Sequence, residues 1–217
     1  MKKEIKRDIC RGLCLLGVFI LWTGSVCLVD VQPVGPAGTA VGFATVNRWF
    51  HQRVGVCMGL YTVTDWLGIL PLLGMTGFAG LGLAQWIRRG GIRKVDPDIL
   101  ALGVFYLAVL AAYLLFEAVV VNYRPVLIHG KLEASYPSST TLLALCVMPT
   151  AAMQLKSRVR HRGLSHWLSA GILVFTVFMV LGRVISGVHW LTDILGGIFL
   201  SGSLVSLYRA VFRWVRS

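Results

Sequence analysis

The sequence predicts an all-α polytopic membrane protein, a bundle of six transmembrane helices with both termini in the cytoplasm. Three observations carry that expectation. The 217 residues are 56% hydrophobic and only 14% charged, a balance typical of membrane chains and foreign to soluble domains. The apolar residues gather into six stretches, most of them close to the roughly 20 residues that cross a hydrocarbon core. The basic residues concentrate in alternate connections between those stretches.

The first stretch, Gly12–Val29, follows a basic run and looks like a signal peptide. It lacks a clear small-x-small cleavage site, so it is read as an anchor. Asp30–Leu60 is the longest loop. It opens with Pro33, Gly35, Pro36 and Gly38, which break regular structure. Its Val41–Val56 part mixes apolar, aromatic and basic residues, as a short helix on the outer surface would. The second stretch is Trp66–Ile87, and Asp65 near its start has no assigned role. The connection Arg88–Asp98 is basic, with Pro97 placed to start the third helix, Ile99–Val121. Asn122–Ser139 is the second outer loop. The fourth stretch, Thr141–Leu155, is short and contains Pro149, so it is expected to recruit part of the preceding loop. A basic turn, Lys156–Gly163, leads to Leu164–Leu181 and then Trp190–Val211. Trp22, Trp66, Trp86, Trp190 and Trp214 fall near the ends of these stretches, where an aromatic belt is the ordinary explanation. The length suits one domain over residues 1–217.

The formal net charge of +12 is explained by its distribution. With the N-terminus inside, four basic groups fall on the cytoplasmic face: Lys2–Arg11, Arg88–Lys94, Lys156–Arg162 and Arg209–Arg216. Only Arg48, Arg53, Arg124, Lys131 and Arg183 are left for the other face. This is the positive-inside bias, with added attraction to anionic lipid, and it argues against a nucleic-acid partner. The five cysteines have neither metal-ligand spacing nor a disulfide framework. Cys27 and Cys57 both fall near the outer face, and the sequence leaves their pairing open.

Candidate chemistry lies in Arg183-Val184-Ile185-Ser186-Gly187-Val188-His189-Trp190-Leu191-Thr192-Asp193. Charged residues inside apolar sequence usually line a protein-filled or watered cavity. Arginine can fork onto phosphate oxygens, and a histidine oriented by an aspartate can act as nucleophile or base. The predicted topology brings Arg124, Pro137-Ser138-Ser139-Thr140, Arg183 and His189 to helix ends on one face, the extracytoplasmic one. Each has a plainer reading alone. An arginine can snorkel, a histidine can pack at a helix end, and Ser138 can cap the fourth helix with or without binding phosphate.

Asn122-Tyr123-Arg124-Pro125, Tyr136-Pro137-Ser138-Ser139 and Arg183-x5-His189-x3-Asp193 together resemble the type-2 phosphatidic acid phosphatase superfamily, the membrane branch related to vanadium haloperoxidases. Its three motifs are Lys-x6-Arg-Pro, Pro-Ser-Gly-His and Ser-Arg-x5-His-x3-Asp, and the likeness spans about residues 117–197. The resemblance implies that His189 attacks phosphorus, that Asp193 orients its ring, and that Arg124, Arg183 and Ser138 bind phosphate. Backbone N–H groups around Ser139 and Thr140, at a helix start, add donors. It implies a phosphohistidine intermediate, a phosphorylated lipid as substrate and no cofactor or metal. A catalytically silent relative that binds or moves such a lipid is the alternative.

This sequence departs from the family pattern at several positions. Glu117 stands where the family has lysine, Ser139 replaces glycine, Thr140 replaces the acid histidine, and Gly182 precedes the arginine where serine is usual. Losing a general acid typically costs about 10²–10⁴ in rate. A phosphate leaving group needs that proton less than an alkoxide does, so a lipid diphosphate is the expected substrate over phosphatidic acid. Two readings of Glu117 stand. It lies seven residues before Arg124, nearly two helical turns, so both share a helix face, and it would form an ion pair with Arg124. Alternatively, as a carboxyl with a raised pKa in an apolar setting, it would be the missing proton donor. His129 in the outer loop is a further acid candidate.

Overall fold

The computed structural model describes residues 1–217 and is built from eight α-helices: α1 (Lys2–Leu28), α2 (Ala44–Val54), α3 (Met58–Leu67), α4 (Ile69–Arg89), α5 (Pro97–Ala118), α6 (Ser139–Arg158), α7 (Arg162–Ser186) and α8 (Leu191–Val215). Five segments are long and apolar enough to cross a membrane: Lys2–Leu28, Met58–Arg89, Pro97–Ala118, Arg162–Ser186 and Leu191–Val215. The least apolar of the long helices is α6. Its 20 residues would span about 30 Å, and its polar side chains Thr141, Thr150 and Gln154 are buried against neighbouring helices. Hydropathy undervalues such a helix because its polar face never meets lipid.

Large apolar side chains stand exposed along the outer faces of the long helices, among them Leu72 and Leu83 on α4, Val104 and Leu107 on α5, and Leu173 and Val174 on α7. A band of that extent is untenable in water and natural against lipid. Inside, Phe19, Leu102, Phe105, Tyr106, Val147, Leu200 and Tyr208 belong to one core cluster. The most extensive helix contact is between α1 and α8. Asp98, at the start of α5, pairs with Arg158 of α6 (3.0 Å) and Arg216 after α8 (3.4 Å). Arg213 pairs with Glu4 and with Asp8 (3.0 Å) of α1. Both termini therefore lie at one end of the bundle.

Several boundaries differ from the sequence expectation. The second crossing starts at Met58 and not at Trp66, with only Gly68 between α3 and α4, so Thr64 and Asp65 sit inside helix. Tertiary contact with α7 holds them there. Helix α5 ends at Ala118, before Val119-Val120-Val121, whose β-branched side chains favour extended backbone. Glu117 and Arg124 therefore do not share a helix face. Pro97 does open α5, and the expected surface helix is α2. The five cysteines are unpaired. Trp190 is buried, not part of an aromatic belt, and its indole N–H donates to the Tyr123 carbonyl (2.8 Å), while that of the half-buried Trp22 donates to the Thr192 carbonyl (3.2 Å).

Candidate active site

The end of the bundle away from the termini gathers the motif residues, and a turn at Gly187 starts the construction. Gly187 closes α7 with φ 65°, in the left-handed region where glycine alone is unstrained. An added Cβ would also meet the Gly55 carbonyl oxygen at 1.9 Å. The turn delivers His189 immediately before α8. There Asp193, at the third helical position, accepts the Trp190 backbone N–H (3.0 Å), a capping arrangement that fixes both helix start and carboxylate. Asn47 of α2 braces the same turn, donating to Thr192 Oγ1 (3.0 Å) and accepting its backbone N–H (3.3 Å).

Asp193 is fully buried and His189 is 4% exposed. Asp193 Oδ1 accepts from Asn122 Nδ2 (2.9 Å), and Oδ2 accepts from Ser135 Oγ (2.5 Å). The aspartate has no hydrogen bond with His189. Ser135 stands between them, its Oγ 3.0 Å from His189 Nδ1. On its other side the ring presents Nε2, buried and without a protein partner. Burial, and then the charges of Arg124 and Arg183, hold the His189 pKa well below its usual value, so the ring is neutral.

Two guanidinium groups attend this imidazole. Arg183 is 1% exposed, and its Nη2 donates to Asp65 Oδ1 (2.8 Å) and Thr140 Oγ1 (2.5 Å). Its Nε and Nη1 have no protein partner, nor does Arg124 Nη1. Arg124 Nε lies 3.2 Å from Glu133 Oε2, near enough for an ion pair but off the line of a hydrogen bond. Both guanidiniums lie over the Tyr61 ring, at 4.9 Å for Arg183 and 5.8 Å for Arg124. Ser138 precedes α6, yet its Oγ makes no capping bond and is buried without a partner. The first backbone N–H groups of α6 have no intrahelical acceptor. Buried donors are almost always satisfied, so this concentration of free ones suits an anion.

A cavity of about 320 Å³ opens beside these groups, lined by Glu117, Arg124, Glu133, Ser135, Ser139 and His189 with Tyr113, Phe116 and Tyr136. Of the residues expected from sequence, Arg124, Ser138, Ser139, Thr140, Arg183, His189 and Asp193 all lie at this end. Glu117 lines the cavity but is not the ion-pair partner of Arg124; Glu133 takes that position, because the chain leaves the helix between Glu117 and Arg124. Thr140 is engaged by Arg183. His129 lies at an exposed turn with φ 50°, outside the cavity lining. Ser135, Asn122, Asp65, Tyr61, Asn47 and Glu133 were missed from sequence. Asn122 opens the first quoted motif and Ser135 immediately precedes the second, the one signal that could have found them.

A family model, PAP2 superfamily, matches residues 99–217, which include every motif position above. The chain belongs to the PAP2 superfamily. The PAP2 fold extends beyond the matched residues. The crystal structure of the first transmembrane PAP2 type phosphatidylglycerolphosphate phosphatase, from Bacillus subtilis, is similar over 92% of this chain and 94% of that one, with a TM-score of 0.65 and 18% identity. None of the curated proteins matches the sequence significantly. The apolar helices long enough to cross a membrane and the family match together make this an integral-membrane helical protein of the PAP2 phosphatase family, with Glu117, Ser139, Thr140 and Gly182 as its departures.

Proposed function

We propose that the protein is a lipid phosphatase. It would hydrolyse a lipid phosphate or diphosphate, such as polyprenyl diphosphate or phosphatidic acid, through a phosphohistidine intermediate. The observation that carries this reading is the set of buried nitrogens without protein partners, Arg124 Nη1, Arg183 Nε and Nη1, and His189 Nε2, at one end of the bundle. The positive-inside bias supports six crossings with both termini in the cytoplasm, and a site facing outward from the plasma membrane.

In this mechanism the neutral His189 Nε2 attacks phosphorus in line. The N–P bond forms as the P–O bond to the leaving group breaks, and its electron pair departs on the leaving oxygen. Arg124 and Arg183 neutralise the equatorial oxygens, while Ser138 Oγ and the first amides of α6 donate to them. Catalysis of this kind rests on positioning and preorganised charge. Water then attacks the phosphohistidine, releasing phosphate and restoring the neutral ring. Thr140, bound by Arg183, supplies no acid, which favours a diphosphate substrate with its better leaving group. Glu117 is the candidate proton donor because it lines the same cavity as His189.

Phosphate release by the purified protein from a panel of lipid mono- and diphosphates tests the reading. The wild type should turn over, a diphosphate faster than the matched monophosphate, and His189→Ala should fall to background. Glu117→Gln should lose turnover while still binding phosphate; retained turnover removes Glu117 from the acid role. Specific lipid binding without turnover in the wild type would identify a catalytically silent relative.

A further inference from the structure

We propose that Ser135 is a positioning residue that fixes the tautomer of His189 and transmits the charge of Asp193 to it. The inference rests on the phosphatase reading for its kinetic consequence but not for its geometry. Ser135 is 3% exposed, and its hydroxyl faces two groups only: Asp193 Oδ2 at 2.5 Å and His189 Nδ1 at 3.0 Å. Its place is set by its own backbone. Ser135 N–H donates to the Asn122 carbonyl (2.9 Å), and Asn122 holds the other oxygen of Asp193. One pairing of loop strands therefore aligns serine, asparagine and carboxylate together.

The direction of the two hydrogen bonds follows from proton counting. An ionised carboxylate only accepts, so the Ser135 proton lies toward Asp193. A serine hydroxyl has one proton, and with that proton committed to Asp193 its oxygen can only accept from His189 Nδ1–H. The opposite arrangement would leave two oxygen lone pairs facing one another at 2.5 Å. With the ring proton on Nδ1, the lone pair sits on Nε2, the nitrogen that faces no protein partner. When Nε2 bonds to phosphorus the ring becomes cationic. Its Nδ1–H then points at an oxygen polarised by a buried carboxylate. No proton moves along the chain; the Nδ1 proton stays on the ring while the electron pair of the broken P–O bond leaves with the leaving group.

The test joins kinetics to the ring itself. In full-length protein labelled with ¹⁵N-histidine, the His189 signal is assigned by its loss in His189→Gln. The wild type should show a pyrrole-like Nδ1 and a pyridine-like Nε2. Ser135→Ala should shift the tautomer balance and lower kcat about 10- to 100-fold, the range for a lost hydrogen bond to a charged group, with KM within about twofold. Ser135→Thr, which keeps the hydroxyl, should restore both readouts. An unchanged tautomer together with a kcat within twofold of wild type in Ser135→Ala overturns the assignment and leaves the phosphatase reading standing. A shifted tautomer in a protein that turns over no lipid phosphate keeps the assignment and removes the phosphatase reading. Should Ser135→Ala fail to fold, Ser135→Cys carries the same comparison, because a thiol is a weak donor and acceptor.

Discussion

The protonation of His189 decides whether its Nε2 can act as a nucleophile. A free histidine takes up its second proton near 6.5. In the folded protein burial opposes the imidazolium most, and Arg124 and Arg183 add to the opposition. The sign is clear: the ring stays neutral as the pH falls through 6.5. The acid limb of kcat/KM, which reports the free enzyme, should therefore lie below that value. An acid limb at or above 6.5, measured on a lipid phosphate in detergent, would contradict the burial and charge arrangement described. The residues that produce it were legible in unequal degree. Arg183, His189 and Asp193 stand out as charges in an apolar run at fixed spacing. Ser135 carries no charge and breaks no pattern, and its role emerges only once the loop folds back over α8.

At the scale of elements, α3 and α7 pack through a departure from the family motif. A Cβ on Gly182 would lie 2.5 Å from Thr64 Cγ2, and Asp65, the next residue, clamps Arg183. The glycine where serine is usual is thus the space that admits α3. Gly182→Ser should cost about 1–3 kcal/mol through overpacking, seen as a lower Tm in detergent, and should reduce kcat/KM by loosening Arg183. Adding Thr64→Ser, which removes Cγ2, should recover much of both; no recovery would mean the contact is not limiting. Sequence showed the helices but not this contact. Thr64 and Asp65 depress local hydropathy, so the second crossing looks as if it starts at Trp66 and not at Met58. The opposite error occurs at the end of α5, where three valines prolong an apolar run after the helix has stopped. In both cases periodicity records composition, while the boundary is set by partners distant in sequence.

Across the whole molecule, polar contacts are concentrated at the two ends. At the terminal end Asp98 links α5, α6 and the residue after α8. Asp98→Asn leaves Arg158 and Arg216 without their shared carboxylate. Because both arginines are partly exposed, the cost is expected near 1–2 kcal/mol, between that of a surface pair and a buried one. The readout is a lower Tm with KM unchanged, since the substitution is at the opposite end from the cavity. A changed KM would show that the two ends are coupled.

The helix that begins the chain lies outside the matched family region, yet it reaches the cavity wall. Thr23 Oγ1 is 2.6 Å from the hydroxyl of Tyr136, Phe19 stacks on the same ring, and Trp22 donates to the turn after His189. A fragment cut at residue 99 would keep every motif and lose the buttress behind them. We therefore expect the minimal working unit to be larger than the recognisable one.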